Sequence, residues 1–298
     1  MRERRPPAFY VLAAVFALFV LFLYGPILTI VALSFQGPSG GLTFPMNGLS
    51  AHWFARLWGG LGVVDIWSSF GRSLRLGVLV MALTVVISLL AGYAFRRGFR
   101  GAGAVFYTAV ASLIIPSIVV SLGIAVQFRL IDGMIRWVGE RLGGAAALEG
   151  FGTSAGMYTS GLGAHLTWTL PFGLLIMFAV FNRFDGRYEE AARDLGATPW
   201  QTARHVVLPI IAPSLIGIGL FGFTLSWDEV ARSSQALGSD QNTLPLELTG
   251  LTTTITNPEI YALGTVTTGV SFAMIGLSLL MIAALRRRRT RQQPESAG

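Results

Sequence analysis

The sequence predicts an all-α polytopic membrane protein with six transmembrane helices, and three observations carry that prediction. The 298 residues are 53% hydrophobic and only 12% charged, with a mean hydropathy of +0.62, well away from soluble globular composition. Six apolar runs each reach the roughly 20 residues that cross a hydrocarbon core. The arginines collect at the ends of these runs, as membrane orientation requires.

The runs lie at 9–33, 73–95, 104–128, 158–182, 208–230 and 261–285. Arg2, Arg4 and Arg5 precede the first, but it is longer than a signal peptide's apolar region and no small-residue cleavage site follows it, so a retained helix is expected. The loop 34–72 is Gly-rich and carries Trp53, Trp58 and Trp67, read as interfacial anchors, with a binding surface as the alternative. Segment 129–157 holds a short amphipathic piece, "LIDGMIRWVGERLGG". Pro116 and Pro171 interrupt their runs and free backbone carbonyls, marking either bends beside a pathway or packing kinks. Residues 1–291 read as a single transmembrane domain, with 292–298 a disordered tail.

All 22 basic residues are arginine and the net charge is +7. Fifteen of them fall on one side if the N-terminus is inside: Arg2, Arg4, Arg5, Arg96, Arg97, Arg100, Arg183, Arg187, Arg193, Arg204, Arg286 to Arg289 and Arg291. Both termini are therefore expected in the cytoplasm, and orientation rather than nucleic-acid binding accounts for the charge. The absence of cysteine excludes disulfides and thiolate metal sites, and His52, His165 and His205 are too far apart for a metal motif.

Between the fourth and fifth runs lies a charged island, "EEAARDLGATPWQTARHVVLP", within an expected cytoplasmic segment 186–207. Its grammar is helix, tight turn, helix. "YEEAARDL" places Glu189 and Glu190 early, which suits the positive end of a helix dipole. Gly196 supplies the stop, being the residue best able to take a left-handed conformation after a helix. Thr198 can cap a new helix, with Pro199 first inside it and Gln201 completing a capping box. Ala191 and Ala192 leave a bare surface where another backbone could approach, and Glu190 offers a carboxylate to a partner. An ordinary capped loop helix is the plain alternative.

The island resembles the motif carried by membrane subunits of binding-protein-dependent ABC importers: E-A-A, three residues, G, nine residues, an aliphatic, one residue, L-P. Here Glu190, Ala191 and Ala192 are followed by Gly196, then Val206, Leu208 and Pro209, a match at every defined position. Over most of the chain, "LFLYGPILTIVALSF", "LIIPSIVVSLGIA", "FTLSWDEV" and "NTLPLELTGLTTTITNPEIYALGTV" resemble the spermidine/putrescine permease group, particularly its C-type subunit. The resemblance implies a type I ABC importer permease in a bacterial inner membrane. Its island would couple to a separate ATPase through Glu189, Glu190, Ala191, Ala192, Asp194, Gly196, Ala197, Leu208 and Pro209. It further implies an ATP-binding subunit dimer, a second homologous permease and an extracytoplasmic solute-binding protein as partners, with ATP and Mg held by the ATPase. The group usually shows Ser, an apolar residue, two acids and Phe where this chain has Ser226, Trp227, Asp228, Glu229 and Val230. The departures at Trp227 and Val230 leave the solute open among polyamines, opines, amino-acid-like compounds and aminophosphonates, with a polyamine expected first.

Asp228 and Glu229 stand near the end of the fifth run, and a mid-membrane Asp costs about 2.5–3.5 kcal/mol, so they either meet a cationic solute or pair with Arg232. Thr224, one helical turn before Asp228, and Trp227 beside it join the candidate pathway residues. His165 reads as an interhelical hydrogen bonder or, alternatively, a proton relay on that pathway. No phosphate-binding G-x-x-x-x-G-K-[ST] loop, nucleophile elbow or His-x-x-x-His pattern occurs, so energy is expected from a partner and an enzyme is not. A secondary transporter is the remaining rival, and no internal repeat supports it.

Overall fold

The computed structural model describes residues 6–60, 65–143, 148–238, 241–253 and 257–291, with side chains up to 287. Arg2, Arg4, Arg5 and the expected tail 292–298 lie outside the described residues. In chain order the helices are α1 (Pro7–Leu33), α2 (His52–Trp58), α3 (Ile66–Arg97), α4 (Ala102–Ala111), α5 (Ser117–Leu142), α6 (Leu162–Asn182), α7 (Arg187–Asp194), α8 (Pro199–Thr202), α9 (Leu208–Trp227), α10 (Ser233–Ala236), α11 (Leu244–Leu251) and α12 (Glu259–Arg291). π-helical turns at Met157–Gly161 and Ala203–Val207 lead into α6 and α9. Among the described residues, six stretches are long and apolar enough to cross a membrane: Pro7–Leu33, Ile66–Arg97, Ser117–Leu142, Met157–Asn182, Pro199–Trp227 and Glu259–Arg287.

Two of these differ from expectation. The run at 104–128 is not one helix. It breaks after Ala111, and Pro116 caps a new helix that runs on to Leu142, absorbing the expected amphipathic piece. Proline lacks the amide proton and disfavours helix in the residue before it, so the break falls where the chemistry demands. Ser112 Oγ stands 2.7 Å from Ala109 O and 2.8 Å from Thr167 O, so its single hydroxyl proton serves both carbonyls in turn. The fifth helix ends at Trp227 rather than 230, which puts Asp228 and Glu229 in the turn beyond it.

The described residues fall into two compact units. One comprises those up to Ile66 and those from Leu248 to Val270. Within it Trp53 and Leu57 are buried, and Arg56 reaches the buried Glu259 at 2.7 Å. Trp53 is thus a core residue rather than an interfacial anchor, whereas Trp58 is exposed. Gln36, wholly buried, closes the 36–49 loop by donating to Gly41 O and Thr43 O and accepting from Asn47 N–H. Apart from the buried Leu33, α1 turns its Leu and Phe side chains outward, as a helix facing lipid or another subunit must.

The second unit comprises Trp67–Glu247 and the described residues after Val270. Met177, Phe181, Val207, Ile211 and Ile218 form its core, flanked by Val85, Leu89 and Tyr93 of α3. Lipid tails are as apolar as these side chains, so helices gain by close packing and hydrogen bonds rather than by leaving the solvent. Small residues supply the closeness. A Cβ on Gly92 would lie 2.7 Å from the Phe181 ring, one on Gly222 would lie 3.2 Å from the Met81 backbone, and one on Gly173 would collide with Ser88 Oγ. Thr84 and Thr169 hydrogen-bond at 2.8 Å in the same buried seam.

Replacing Gly173 by leucine is expected to cost roughly 1–3 kcal/mol through overpacking. Gly217, where a Cβ meets nothing within 4 Å, tolerates the same change, and thermal unfolding of the two variants in detergent compares them.

Candidate functional site

The island between α6 and α9 folds by rules local to its sequence. α7 starts at Arg187 with Glu189 and Glu190 in its first turn. Its end is a complete Schellman motif: Gly196 adopts φ +85°, its N–H donates to Arg193 O at 2.8 Å, and Ala197 N–H donates to Ala192 O at 3.0 Å. Immediately afterwards Thr198 N–H donates to Gln201 Oε1 at 2.8 Å while Gln201 N–H donates to Thr198 Oγ1 at 3.3 Å, a closed capping box with Pro199 first inside the helix. From Pro199 the chain continues through the π turn into the fifth membrane helix, with Leu208 and Pro209 opening α9.

The two faces of this element have different partners. Glu189 turns inward, where its Oε1 accepts from Arg96 Nη1 of α3 at 2.8 Å and both side chains are largely buried. The Arg96 guanidinium stands 5.5 and 5.0 Å from the Phe181 and Phe184 ring centres, so the same cation also packs on the end of α6. Val207 is wholly buried in the core, and Leu208 packs beside it. Glu190, Ala191, Asp194 and Gly196 face outward, and Ala192 and Ala197 are half-buried. Two large apolar side chains share that exposure, Leu195 at 89% and Trp200 at 68%. An isolated exposed leucine is ordinary, but two such groups on a tight rigid turn, beside a Glu190 carboxylate with no ion pair among the described residues, form a surface suited to a protein partner.

The second cluster follows the fifth helix. Arg232 is fully buried, with Nη1 donating to Ser117 Oγ at 2.7 Å, Nε donating to Thr167 Oγ1 at 3.3 Å, and its guanidinium 4.5 Å from the Trp168 ring centre. Glu229 belongs to Arg232: its Oε1 accepts the Arg232 N–H at 2.8 Å, and its Oε2 lies 3.5 Å from Nη1. Ser121 Oγ donates to Arg232 O at 2.7 Å, so the turn is fastened to α5 as well as α6. A buried guanidinium must be paired and hydrogen-bonded to be tolerated, and this one draws on α5, α6 and the turn carboxylate of Glu229, while its Nη2 has no hydrogen-bond partner among the described residues.

His165 is also buried, with Nδ1 2.8 Å from Ser226 Oγ and Nε2 3.0 Å from Ser233 Oγ. Both ring nitrogens are thereby engaged across helices, which fixes the ring. Trp227 is buried, stacked on Phe223 at 5.7 Å and edge-on to Phe70 at 5.5 Å. Thr224 Oγ1 donates to Leu220 O of its own helix. Asp228 alone among the expected pathway residues is exposed, with no hydrogen bond to its carboxylate among the described residues. Partial desolvation, then the neighbouring Glu229 carboxylate, raises its carboxyl above the ordinary value. The structure therefore brings His165 and Glu229 into one buried network through Ser233, which also donates to Glu229 O at 2.8 Å. It leaves Asp228 outside. Arg96, Arg232, Leu195 and Trp200 escaped the sequence reading as site residues. For Arg232 the spacing to Glu229 was a signal, whereas Arg96 meets Glu189 across 93 positions and leaves none.

Residues 84–292 match the family described as binding-protein-dependent transport system inner membrane component. The chain is similar to the spermidine/putrescine transport system permease protein PotC of Haemophilus influenzae, at 30% identity over 87% of this chain and 91% of that protein. It is similar also to the putrescine transport system permease protein PotI of Escherichia coli K12, at 28% identity over 91% and 90% of the respective chains. Among solved structures, a chain of a bacterial ABC transporter involved in the import of the acidic polysaccharide alginate shares its fold. The TM-score is 0.63, with 14% identity over 94% of this chain and 95% of that one.

Arg96→Gln and Glu189→Gln are each expected to lower the thermal stability of the purified chain. In a double-mutant cycle they should show a coupling energy of about 1 kcal/mol, within the range for contacting residues; strict additivity would mean that the pair does not anchor α7.

Proposed function

The chain belongs to the family of binding-protein-dependent transport inner membrane components, a multi-pass permease of an ABC importer, and from that premise we propose how its geometry works. Segment 187–202 docks on a separate ATP-hydrolysing subunit. The observation that carries this reading is the rigid turn, with Glu190, Leu195 and Trp200 exposed on its outer face while Glu189 is held by Arg96 on its inner face. Energy is supplied by the partner, which holds ATP and Mg; this chain contributes no catalytic residue.

Movement of the docked partner carries α7 with it. The Arg96–Glu189 pair passes that movement to α3, and Val207, buried against Met177 and Phe181, passes it to α6 and α9. With a second, related permease these helices enclose a pathway that opens alternately to either side, each state being favoured by a different nucleotide condition of the partner. An extracytoplasmic binding protein delivers the solute. The arginine distribution supports cytoplasmic termini and a cytoplasmic position for segment 187–202 in a bacterial inner membrane.

The solute we propose is a polyamine. Support comes from the names of the similar permeases and from Asp228, an exposed carboxylate with no hydrogen bond among the described residues, placed at the end of a membrane helix. We assign that role to Asp228 ahead of Glu229, which is engaged with Arg232, and of His165, which is held by two serines.

Glu190→Lys and Gly196→Asp are expected to abolish uptake while leaving the permease in the membrane, Gly196→Asp because a side chain at φ +85° strains the turn. Unchanged uptake in either variant contradicts the coupling assignment. Asp228→Asn is expected to slow polyamine uptake by roughly tenfold, about 1.4 kcal/mol, with the assembled complex intact. Uptake assays with a polyamine, an opine and an aminophosphonate decide the solute: stimulation by one of the latter alone overturns the polyamine reading and leaves the coupling reading standing.

A further inference from the structure

We propose that the cavity between the end of α3 and α7 is a site for a phosphate-class anion, occupied by the headgroup of an anionic phospholipid. Tyr93, Arg96, Arg97, Glu189 and Arg193 line it, and its volume is about 240 Å3. Ligand cavities that enclose whole solutes run to roughly 300–1,000 Å3, so this one suits a headgroup fragment.

Its hydrogen-bonding inventory is lopsided. Three guanidinium groups, each with five N–H donors and no acceptor, face one carboxylate. That carboxylate is already committed: Oε1 accepts from Arg96 at 2.8 Å, and Oε2 lies 3.7 Å from Arg193 Nη2, too far for a hydrogen bond. The Tyr93 hydroxyl is buried without a partner among the described residues. Arg97 is exposed and joins no ion pair among them. Donors and positive charge thus remain in excess around a concave space, and the complement is a group with several acceptor oxygens and negative charge.

The setting selects the source. Arg96 and Arg97 end an apolar helix long enough to cross the membrane, so the cavity lies where lipid headgroups stand at high local density. Basic pockets between helices at this level bind anionic lipid headgroups. A phosphate held there bridges α3 to α7 beside the Arg96–Glu189 contact. Membrane composition then sets how firmly the coupling element is held.

The test uses the full purified chain in detergent, without ATPase or solute, so its outcome is separate from the transport reading. Native mass spectrometry counts retained phosphatidylglycerol against phosphatidylcholine, with inorganic phosphate as competitor. The chain is expected to retain phosphatidylglycerol selectively, and Arg97→Gln and Arg193→Gln each to reduce that retention about fivefold. Tyr93→Phe, which removes one hydroxyl and keeps the packing, reduces it less, and Arg204→Gln and Arg287→Gln, each removing the same single charge elsewhere, leave it unchanged. Equal retention by the cavity variants and the parent, or an equal loss in the Arg204 and Arg287 controls, overturns the site. Binding of inorganic phosphate that displaces the lipid at equal concentration overturns the lipid assignment.

Discussion

The close approach of α3, α6 and α9 is the constraint on which the second unit depends. In a bilayer no solvent is expelled when two apolar helices meet, so association rests on contact distance and on hydrogen bonds across the seam. Gly92, Gly173 and Gly222 supply the first, and the Thr84–Thr169 pair the second. The consequence reaches the surface. With Phe181 seated on Gly92, the end of α6 stands beside Arg96, and Arg96 can hold the aromatic rings and Glu189 together. A position inside the membrane seam thereby fixes a segment outside it.

The segment between α6 and α9 achieves rigidity by a different route. Residues 187–202 bury little, and their shape comes from backbone chemistry: a left-handed glycine, two carbonyls answered by the following amides, and a threonine and glutamine that cap each other. Because these bonds are local, they do not consume the outward face, which is left free for a partner. The inner face is tied to the membrane helices through Glu189, paired with Arg96, and Val207, buried in the core. Two adjacent glutamates consequently have opposite orientations, one bonded to the permease and one presented away from it.

Much of this was legible in the sequence because it is periodic or local. The apolar runs, the Gly196 stop and the Thr198–Gln201 box depend on neighbours within a few positions. The break at Pro116 was visible as a proline, but the length of α5 was not, since its polar second half carries no sustained apolar signal. Trp53 reads as a membrane anchor by residue type, and its burial is decided by tertiary packing. The Arg96–Glu189 contact joins distant positions, and Arg232 reaches Ser117 across 115, which no local pattern encodes. The Asp228/Glu229 pair shows both cases at once: spacing offered Arg232 as a partner, and the end of the helix at Trp227 determined which acid takes it.

The central claim is that the turn around Leu195 is covered by a separate subunit. The chain contains no cysteine, so Leu195→Cys introduces a unique thiol whose rate of reaction with a membrane-impermeant maleimide can be measured in inside-out vesicles. Labelling is expected to be at least roughly tenfold slower when the ATPase is co-expressed, corresponding to about 1.4 kcal/mol of protection, with an Arg100→Cys control in the exposed turn before α4 unaffected. Equal labelling of Leu195→Cys with and without the ATPase would contradict that claim.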